Sequence, residues 1–203
     1  MCIRDSFKSL SKNDDTVILD VRDQDVFKQG FIPGSIFIGL KGGFAPWVGS
    51  VIKDINTKIL VVCEKDFELE TITRLSRVGF DNVLGYLKDG FYVWKKSNEK
   101  IDSVKSILPL NLKEIIDSDI SLIDVRSKLE REKGLLKGSI NIPLNDFDAY
   151  TNTLIKSDTY YIHCAGGYRS MIACSLLKRL GFSSLFDISG GFAEIRKANL
   201  KIN

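Results

Sequence analysis

One histidine in 203 residues, and four cysteines of which no two stand close together, leave little from which to build a metal centre. Zinc sites draw on closely spaced Cys and His pairs, and Cys2, Cys63, Cys164 and Cys174 supply none. An excess of one charge is missing as well. The 29 basic and 26 acidic residues leave a net +3, and no basic run carries interleaved aromatics, so nucleic acid is not an expected partner. No apolar stretch approaches the roughly 20 residues that span a bilayer, so no membrane partner is expected. The N-terminus has neither the basic start nor the apolar core of a secretory signal. The expectation is a cytoplasmic chain with reduced thiols. Its 44% apolar and 27% charged residues are ordinary for a globular protein.

What the chain does contain is itself, twice. Val17-Ile18-Leu19-Asp20-Val21-Arg22 recurs as Ser121-Leu122-Ile123-Asp124-Val125-Arg126. Phe31-Ile32-Pro33-Gly34-Ser35-Ile36 recurs as Leu135-Leu136-Lys137-Gly138-Ser139-Ile140. Leu60-Val61-Val62-Cys63 matches Tyr161-Ile162-His163-Cys164, Arg77-Val78-Gly79-Phe80 matches Arg179-Leu180-Gly181-Phe182, and Asp89-Gly90-Phe91 matches Gly190-Gly191-Phe192. The offset is 104 residues from Asp20 to Asp124 and 101 from Cys63 to Cys164. A period that long marks a duplicated domain, not a solenoid unit. Residues 1–100 and 101–203 are the expected domains, with the polar segment 95–102 as the linker.

Each half alternates strand-like and helix-like segments, which predicts an α/β fold with a mostly parallel sheet covered by helices on both faces. In the second half the pattern predicts strands over 121–125, 139–142, 159–163 and 184–188. It predicts helices over 127–133, over 145–155 with Asn145 or Asp146 as cap, over 171–180 with Ile172, Leu176, Leu177 and Leu180 on one face, and over 191–198. Gly181 ends the third of these. The segment 103–107 reads as an opening strand that the first half lacks.

The densest chemistry lies in His163-Cys164-Ala165-Gly166-Gly167-Tyr168-Arg169-Ser170, between a strand and a helix. A lone cysteine at a strand end is usually a small buried hydrophobe. Here two glycines, an arginine and a hydroxyl accompany it at the kind of strand-to-helix turn where α/β sheets bind ligands. A helix N-terminus favours negative charge and so favours a thiolate. Gly166 and Gly167 are expected to let the backbone curl, so that successive N–H groups converge into an anion nest. Arg169 adds a permanent cation. The outline is that of a cysteine that handles a small anion or carries an extra sulfur.

Asp-Val-Arg, then Gly-Ser-Ile, then a strand leading to Cys-x4-Arg-Ser, then Gly-Gly-Phe, resembles the rhodanese family of sulfurtransferases. The likeness covers nearly the whole chain as two tandem rhodanese-like domains. It implies transfer of a sulfane sulfur, from thiosulfate or a low-molecular-weight persulfide, to a thiol or cyanide acceptor through a Cys164 persulfide. It also implies that no cofactor is needed. Carried over by position, Cys164 is the nucleophile, and Ala165, Gly166, Gly167 and Tyr168 present amides to the outer sulfur. Arg169 orients the loop and attracts an anionic donor, and Ser170 starts the helix. Asp124, Arg126 and His163 are structural support.

Protein tyrosine phosphatases also close a cysteine loop with arginine, but over five intervening residues where this chain has four; the smaller ring suits a single sulfur better than a phosphate. A second reading is a sulfur carrier or interaction module serving a fused or separate persulfide-processing enzyme. The first-half loop, Cys63-Glu64-Lys65-Asp66-Phe67-Glu68-Leu69-Glu70, lacks both glycines and the arginine and crowds the thiol with carboxylates, so that domain is expected to be inactive. Trp47, Trp94 and Cys174 are expected in packing roles, and residues 39–47 as either a docking surface or an ordinary loop. Residues 1–6 fit no element of the repeat and read as a cloning or assembly scar on a truncated start. Tandem pairs with an eroded first copy also occur behind a metallo-β-lactamase-like hydrolase, which makes such an upstream domain a possible partner.

Overall fold

Ile59-Leu60-Val61-Val62 has no polar alternation, the pattern of a strand covered on both faces, and all four side chains are fully buried. The computed structural model describes residues 4–116 and 120–202 and divides the chain into two units, Met1–Ser103 and Val104–Asn203. The first unit runs α1 (Arg4–Leu10), β1 (Thr16–Asp20), α2 (Gln24–Phe27), β2 (Ile36–Phe37), α3 (Phe44–Val51), β3 (Lys58–Val62), α4 (Glu68–Ser76), β4 (Val83–Tyr86) and α5 (Gly90–Lys96). Its strands lie in the order β2-β1-β3-β4, all parallel. Leu60 and Val62 pack with Phe7 of α1 and Trp94 of α5, so the alternate positions Ile59 and Val61 serve the opposite face.

The second unit runs β5 (Lys105–Ile107), α6 (Pro109–Ile115), β6 (Ser121–Asp124), α7 (Lys128–Glu132), β7 (Ser139–Asn141), a 3₁₀ turn (Leu144–Asp146), α8 (Phe147–Thr151), β8 (Tyr160–His163), α9 (Tyr168–Arg179), β9 (Leu185–Ile188) and α10 (Gly191–Lys197). The five strands are parallel in the order β5-β9-β8-β6-β7. The opening strand β5 pairs with β9 and has no counterpart among the described residues of the first unit. From β6 the chain steps outward to β7, then returns to β8 on the other side of β6. The C-terminal ends of β6 and β8 therefore flank a topological switch point, where open α/β sheets bind ligands. Asp124 and His163 are register partners there. Among the described residues no helix is long and apolar enough to cross a membrane.

Several expectations are corrected. Helix α9 starts at Tyr168, three residues before the expected Met171, because left-handed Gly167 turns the chain directly into it. Six consecutive residues of α9, Ser170 to Ser175, are buried, so it has no polar stripe there, and Leu180 is its exposed C-cap. The helix expected over 145–155 is confined to α8, and Asp146 makes no side-chain cap bond. The expected linker 95–102 belongs to the first unit: Lys95 and Lys96 finish α5, the Trp94 indole donates to the Lys100 carbonyl at 3.0 Å, and Asp102 bridges Phe31. Residues 39–47 are not a loop throughout, since Phe44 opens α3 and is buried in the core. Trp47 is half-buried and Trp94 buried.

Against the expectation that residues 1–6 fit no element of the repeat, Arg4 to Ser6 form the first turn of α1; Met1 to Ile3, with Cys2, lie outside the described residues. Helices α1 and α6 are both seven residues long and start 105 positions apart, and their core residues Phe7 and Leu112 are both fully buried. The Phe7 ring meets Trp94 edge-on at 6.2 Å. Both tryptophans belong to the first unit, so their fluorescence reads its unfolding alone. Phe7→Ala should destabilise that unit by about 3–5 kcal/mol, the usual cost of emptying a core phenylalanine site. A shift below about 1 kcal/mol in a tryptophan-monitored urea titration would restore α1 to the status of an appendage.

Candidate active site at Cys164

Strand β8 is sealed in the sheet, so Cys164 leaves it at a depth where its side chain is only 1% exposed. The chain must then turn at once to start α9. Gly167 makes the turn with φ +105, a region L side chains rarely adopt, and its N–H donates to Cys164 Sγ at 3.1 Å. Gly166 has no such role. It is exposed, its φ is not positive, and a Cβ there would meet nothing within 4 Å, so the expectation that both glycines curl the loop narrows to one. Ala165 and Tyr168 are half-buried in the same turn, and burial pushes the Tyr168 phenol up.

The loop is fixed from behind by α10. The Phe192 amide donates to the Cys164 carbonyl at 2.7 Å and the Ala193 amide to the Ala165 carbonyl at 3.1 Å. These are free N–H groups from the first turn of a helix, spent on the two carbonyls at and after Cys164. Gly191 makes the approach possible. Its φ is +57, and a Cβ would lie 2.5 Å from the Cys164 carbonyl oxygen.

Asp124 and Arg126 form the frame beside it. The Arg126 Nε donates to both carboxylate oxygens at 3.0 and 3.1 Å, and Nη2 donates to Oδ2 at 2.6 Å and to the Gly134 carbonyl at 2.9 Å. Its guanidinium lies 3.7 Å from the centre of the Phe192 ring. Burial alone would raise the Asp124 carboxyl, but the Arg126 hydrogen bonds and neighbouring charge outweigh it and leave it below the usual range. His163 is fully buried. Its ring stacks on Phe192 at 6.1 Å, Nδ1 lies 3.3 Å from the Cys164 carbonyl oxygen, and Nε2 has no hydrogen-bond partner among the described residues. Burial lowers its pKa to about 4, against the pull of Asp124, so the imidazole is neutral near pH 7.

The two remaining loop residues depart from expectation. Arg169 does not face the thiol as an unmatched cation: Nη1 and Nη2 donate to Glu130 Oε2 and Oε1 at 2.7 and 2.6 Å. Ser170 neither starts the helix nor opens to a donor. It is fully buried, and its Oγ lies 2.6 Å from Asp187 Oδ1, 2.9 Å from the Gly167 carbonyl and 3.6 Å from Cys164 Sγ. Glu130, Asp187 and Gly191 are functional neighbours that sequence reasoning missed. Ser127-x-x-Glu130 carried a legible capping-box pattern, and Asp187 is a carboxyl inside the otherwise apolar Leu185-Phe186-Asp187-Ile188. Cys174 is completely buried.

The first unit repeats the frame around a different loop. Arg22 is bonded to Asp20 and to the Gly30 carbonyl and lies over Phe91 at 4.2 Å. Asp66 takes the left-handed turn with φ +71 in place of a glycine. A cleft of about 400 Å³ lies over Cys63, lined by Arg22, Glu64, Lys65 and Phe91 among others. Its thiol is pushed up to about 12, first by burial and then by Glu68, Asp20 and Glu64.

A parallel α/β sheet with a cysteine at the switch point, cradled at a helix N-terminus and present in two copies, defines the class. The rhodanese-like domain model matches residues 4–97 and again 109–198, and the chain belongs to that family. It is 34% identical over 100 residues to the "Putative sulfur carrier protein YrkF" of Bacillus subtilis, a match covering 48% of this chain and 54% of that one. It is 33% identical over 88 residues to the tRNA sulfurtransferase of Thermoplasma acidophilum, covering 43% and 17%. It is 27% identical over 191 residues to the tRNA uridine(34) hydroxylase of Pelagibacter ubique, covering 88% and 62%. The chain thus spans less than two thirds of each of these relatives.

Two measurements check this construction. Gly191→Ala should cost at least about 1–3 kcal/mol through backbone strain, with the clash at Cys164 adding to it, whereas Gly166→Ala should stay within about 0.5 kcal/mol. Equal effects in urea titrations followed by circular dichroism would refute the packing described. For His163, the unfolded chain binds a proton at about 6.5 and the folded one only near 4. Stability is therefore full above pH 6.5 and falls as pH drops from 6.5 to 4, by on the order of 3 kcal/mol. His163→Phe should flatten that slope in the second unit; an unchanged slope would assign it to other groups.

Proposed function

We propose that the chain is a rhodanese-type sulfurtransferase in which Cys164 carries a sulfane sulfur between a small donor and a thiophilic acceptor. The Cys164 thiolate attacks the outer sulfur of the donor. A new S–S bond forms to Cys164, the donor's S–S bond breaks, and its electron pair leaves with the thiolate of a persulfide donor or with sulfite from thiosulfate. An acceptor thiolate or cyanide then attacks the outer sulfur, and the Cys164 thiolate departs. Two sequential displacements of this kind are covalent ping-pong catalysis with no net redox change at the protein.

The observation that carries the proposal is the Gly167 amide aimed at Sγ from the start of a twelve-residue helix. Negative sulfur at that point is met by a fixed donor and a favourable dipole. Asp124, Arg126 and His163 hold the loop, and Ala165, Gly166 and Tyr168 are assigned to the cradle around the outer sulfur. The first unit is assigned no turnover, because burial and surrounding carboxylates keep Cys63 protonated. The names of the Bacillus and Thermoplasma relatives support sulfur handling. The Pelagibacter relative is named for hydroxylation, and the reading here rests instead on the Gly167 amide aimed at a thiol. The carrier reading draws on the Bacillus relative; it predicts slow thiosulfate:cyanide turnover that a partner protein accelerates.

Intact-protein mass spectrometry after incubation with thiosulfate or a thiol persulfide provides the test. The wild type should gain one sulfur atom, located on Cys164 by peptide mapping, and Cys164→Ser should gain none and lose turnover by at least about a thousandfold. Sulfur found on Cys63, or turnover surviving in Cys164→Ser, would defeat the assignment.

A further inference from the structure

The loop arginine is neutralised before any donor arrives. Glu130 accepts from both terminal nitrogens of Arg169, and its Oε2 also accepts from the Ser127 amide at 3.1 Å and the Ser127 hydroxyl at 2.9 Å. A carboxylate bonded to one element's cap and to another element's guanidinium has little freedom to leave either. Arg169 and Glu130 are 20% and 37% exposed, while the cysteine behind them is 1% exposed, so the pair stands on the solvent side of the loop. The neighbouring guanidiniums are held by protein groups and share one carboxylate, Asp124. Arg126 is held by Asp124 and the Gly134 carbonyl, and Arg131 by Ser139 with Asp124 at 3.6 Å.

The duplicated half offers an independent comparison. At the position of Glu130, 104 residues earlier, stands Val26, and residues 63–70 contain no arginine. The two partners are present together in one copy and absent together in the other, as expected of groups that act as one unit.

Building on the sulfurtransferase proposal, we infer that Glu130 is a specificity-determining residue. It cancels the charge of Arg169, and so biases Cys164 toward thiol persulfides and against the thiosulfate dianion. With a persulfide, Cys164–S⁻ and R–S–SH give Cys164–S–SH and R–S⁻, and no dianion enters or leaves. With thiosulfate, both the entering donor and the departing sulfite are dianions, whose local concentration depends on an unmatched cation at the mouth.

The experiment compares wild type with Glu130→Gln, which keeps the side chain's shape and its acceptor for Ser127 but removes the charge. The donors are thiosulfate and freshly generated cysteine persulfide, whose amino acid portion carries no net charge. Glu130→Gln should raise kcat/KM for thiosulfate by about tenfold or more, mainly through KM, and the gain should shrink in 0.5 M salt as screening predicts. The value for cysteine persulfide should change by less than about threefold. Ser127→Ala, which breaks the helix cap but leaves the Arg169 pair, should leave the donor ratio as it is. A thiosulfate rate that is unchanged, or that falls in parallel with the persulfide rate, would reduce Glu130 to a packing role and overturn the inference. If wild type gains no sulfur on Cys164 from either donor, the sulfurtransferase proposal falls and this inference with it. If sulfur is gained but the ratio does not move, only this inference fails.

Discussion

The buried pair of Asp124 and Arg126 is the constraint on which the rest of the second unit depends. A charge with side-chain exposure of 0–4% survives only if its partner and its remaining hydrogen bonds are fixed in place. Arg126 meets that condition by reaching in three directions, to the end of β6, to the Gly134 carbonyl after α7 and to the face of Phe192. Phe192 in turn supplies the amide that holds the Cys164 carbonyl. The cysteine is thus located by a chain of contacts that begins with an ion pair one strand away. Removing either charge alone would leave the other buried without its counter-ion, which is far more damaging than losing a surface bridge.

The first unit separates scaffold from chemistry. Asp20 and Arg22 repeat the pair, Gly30 repeats the carbonyl acceptor, and Ser35 donates to the Ile32 carbonyl as Ser139 does to that of Leu136. At the cysteine loop itself the two units differ: glycine becomes Asp66 and carboxylates gather around Cys63. The Asp-x-Arg and Gly-Ser-Ile motifs therefore report on the fold, since both units carry their contacts whatever the cysteine loop contains.

This division explains what was legible in the sequence. The duplicated motifs, the parallel sheet and the strand feeding Cys164 follow from local patterns, because apolar runs and turn residues act over a few positions. The opening strand β5 was readable for the same reason. The partners that complete the site were not, because they come from elements far away in the chain. Glu130 meets Arg169 across 39 residues, and Asp187 meets Ser170 across 17. Arg169, taken alone, reads as an available cation, and only the fold reveals the carboxylate that matches it. Helix boundaries failed where one backbone angle decided them. Gly167 began α9 earlier than its apolar spacing indicated, and α1 escaped notice because a single fully buried residue, Phe7, anchors it to the core.

Electrostatic matching at the loop also bears on why the reacting sulfur can be so deeply placed. Negative charge at a sulfur only 1% exposed is costly unless a donor is already aimed at it, and the Gly167 amide at the start of α9 is such a donor. An unmatched guanidinium beside the loop would attract every small anion in solution to the mouth. Pairing Arg169 with Glu130 ties the loop to the cap of α7 through charge-assisted bonds. Fixed backbone dipoles bind charge only where it forms, at the sulfur.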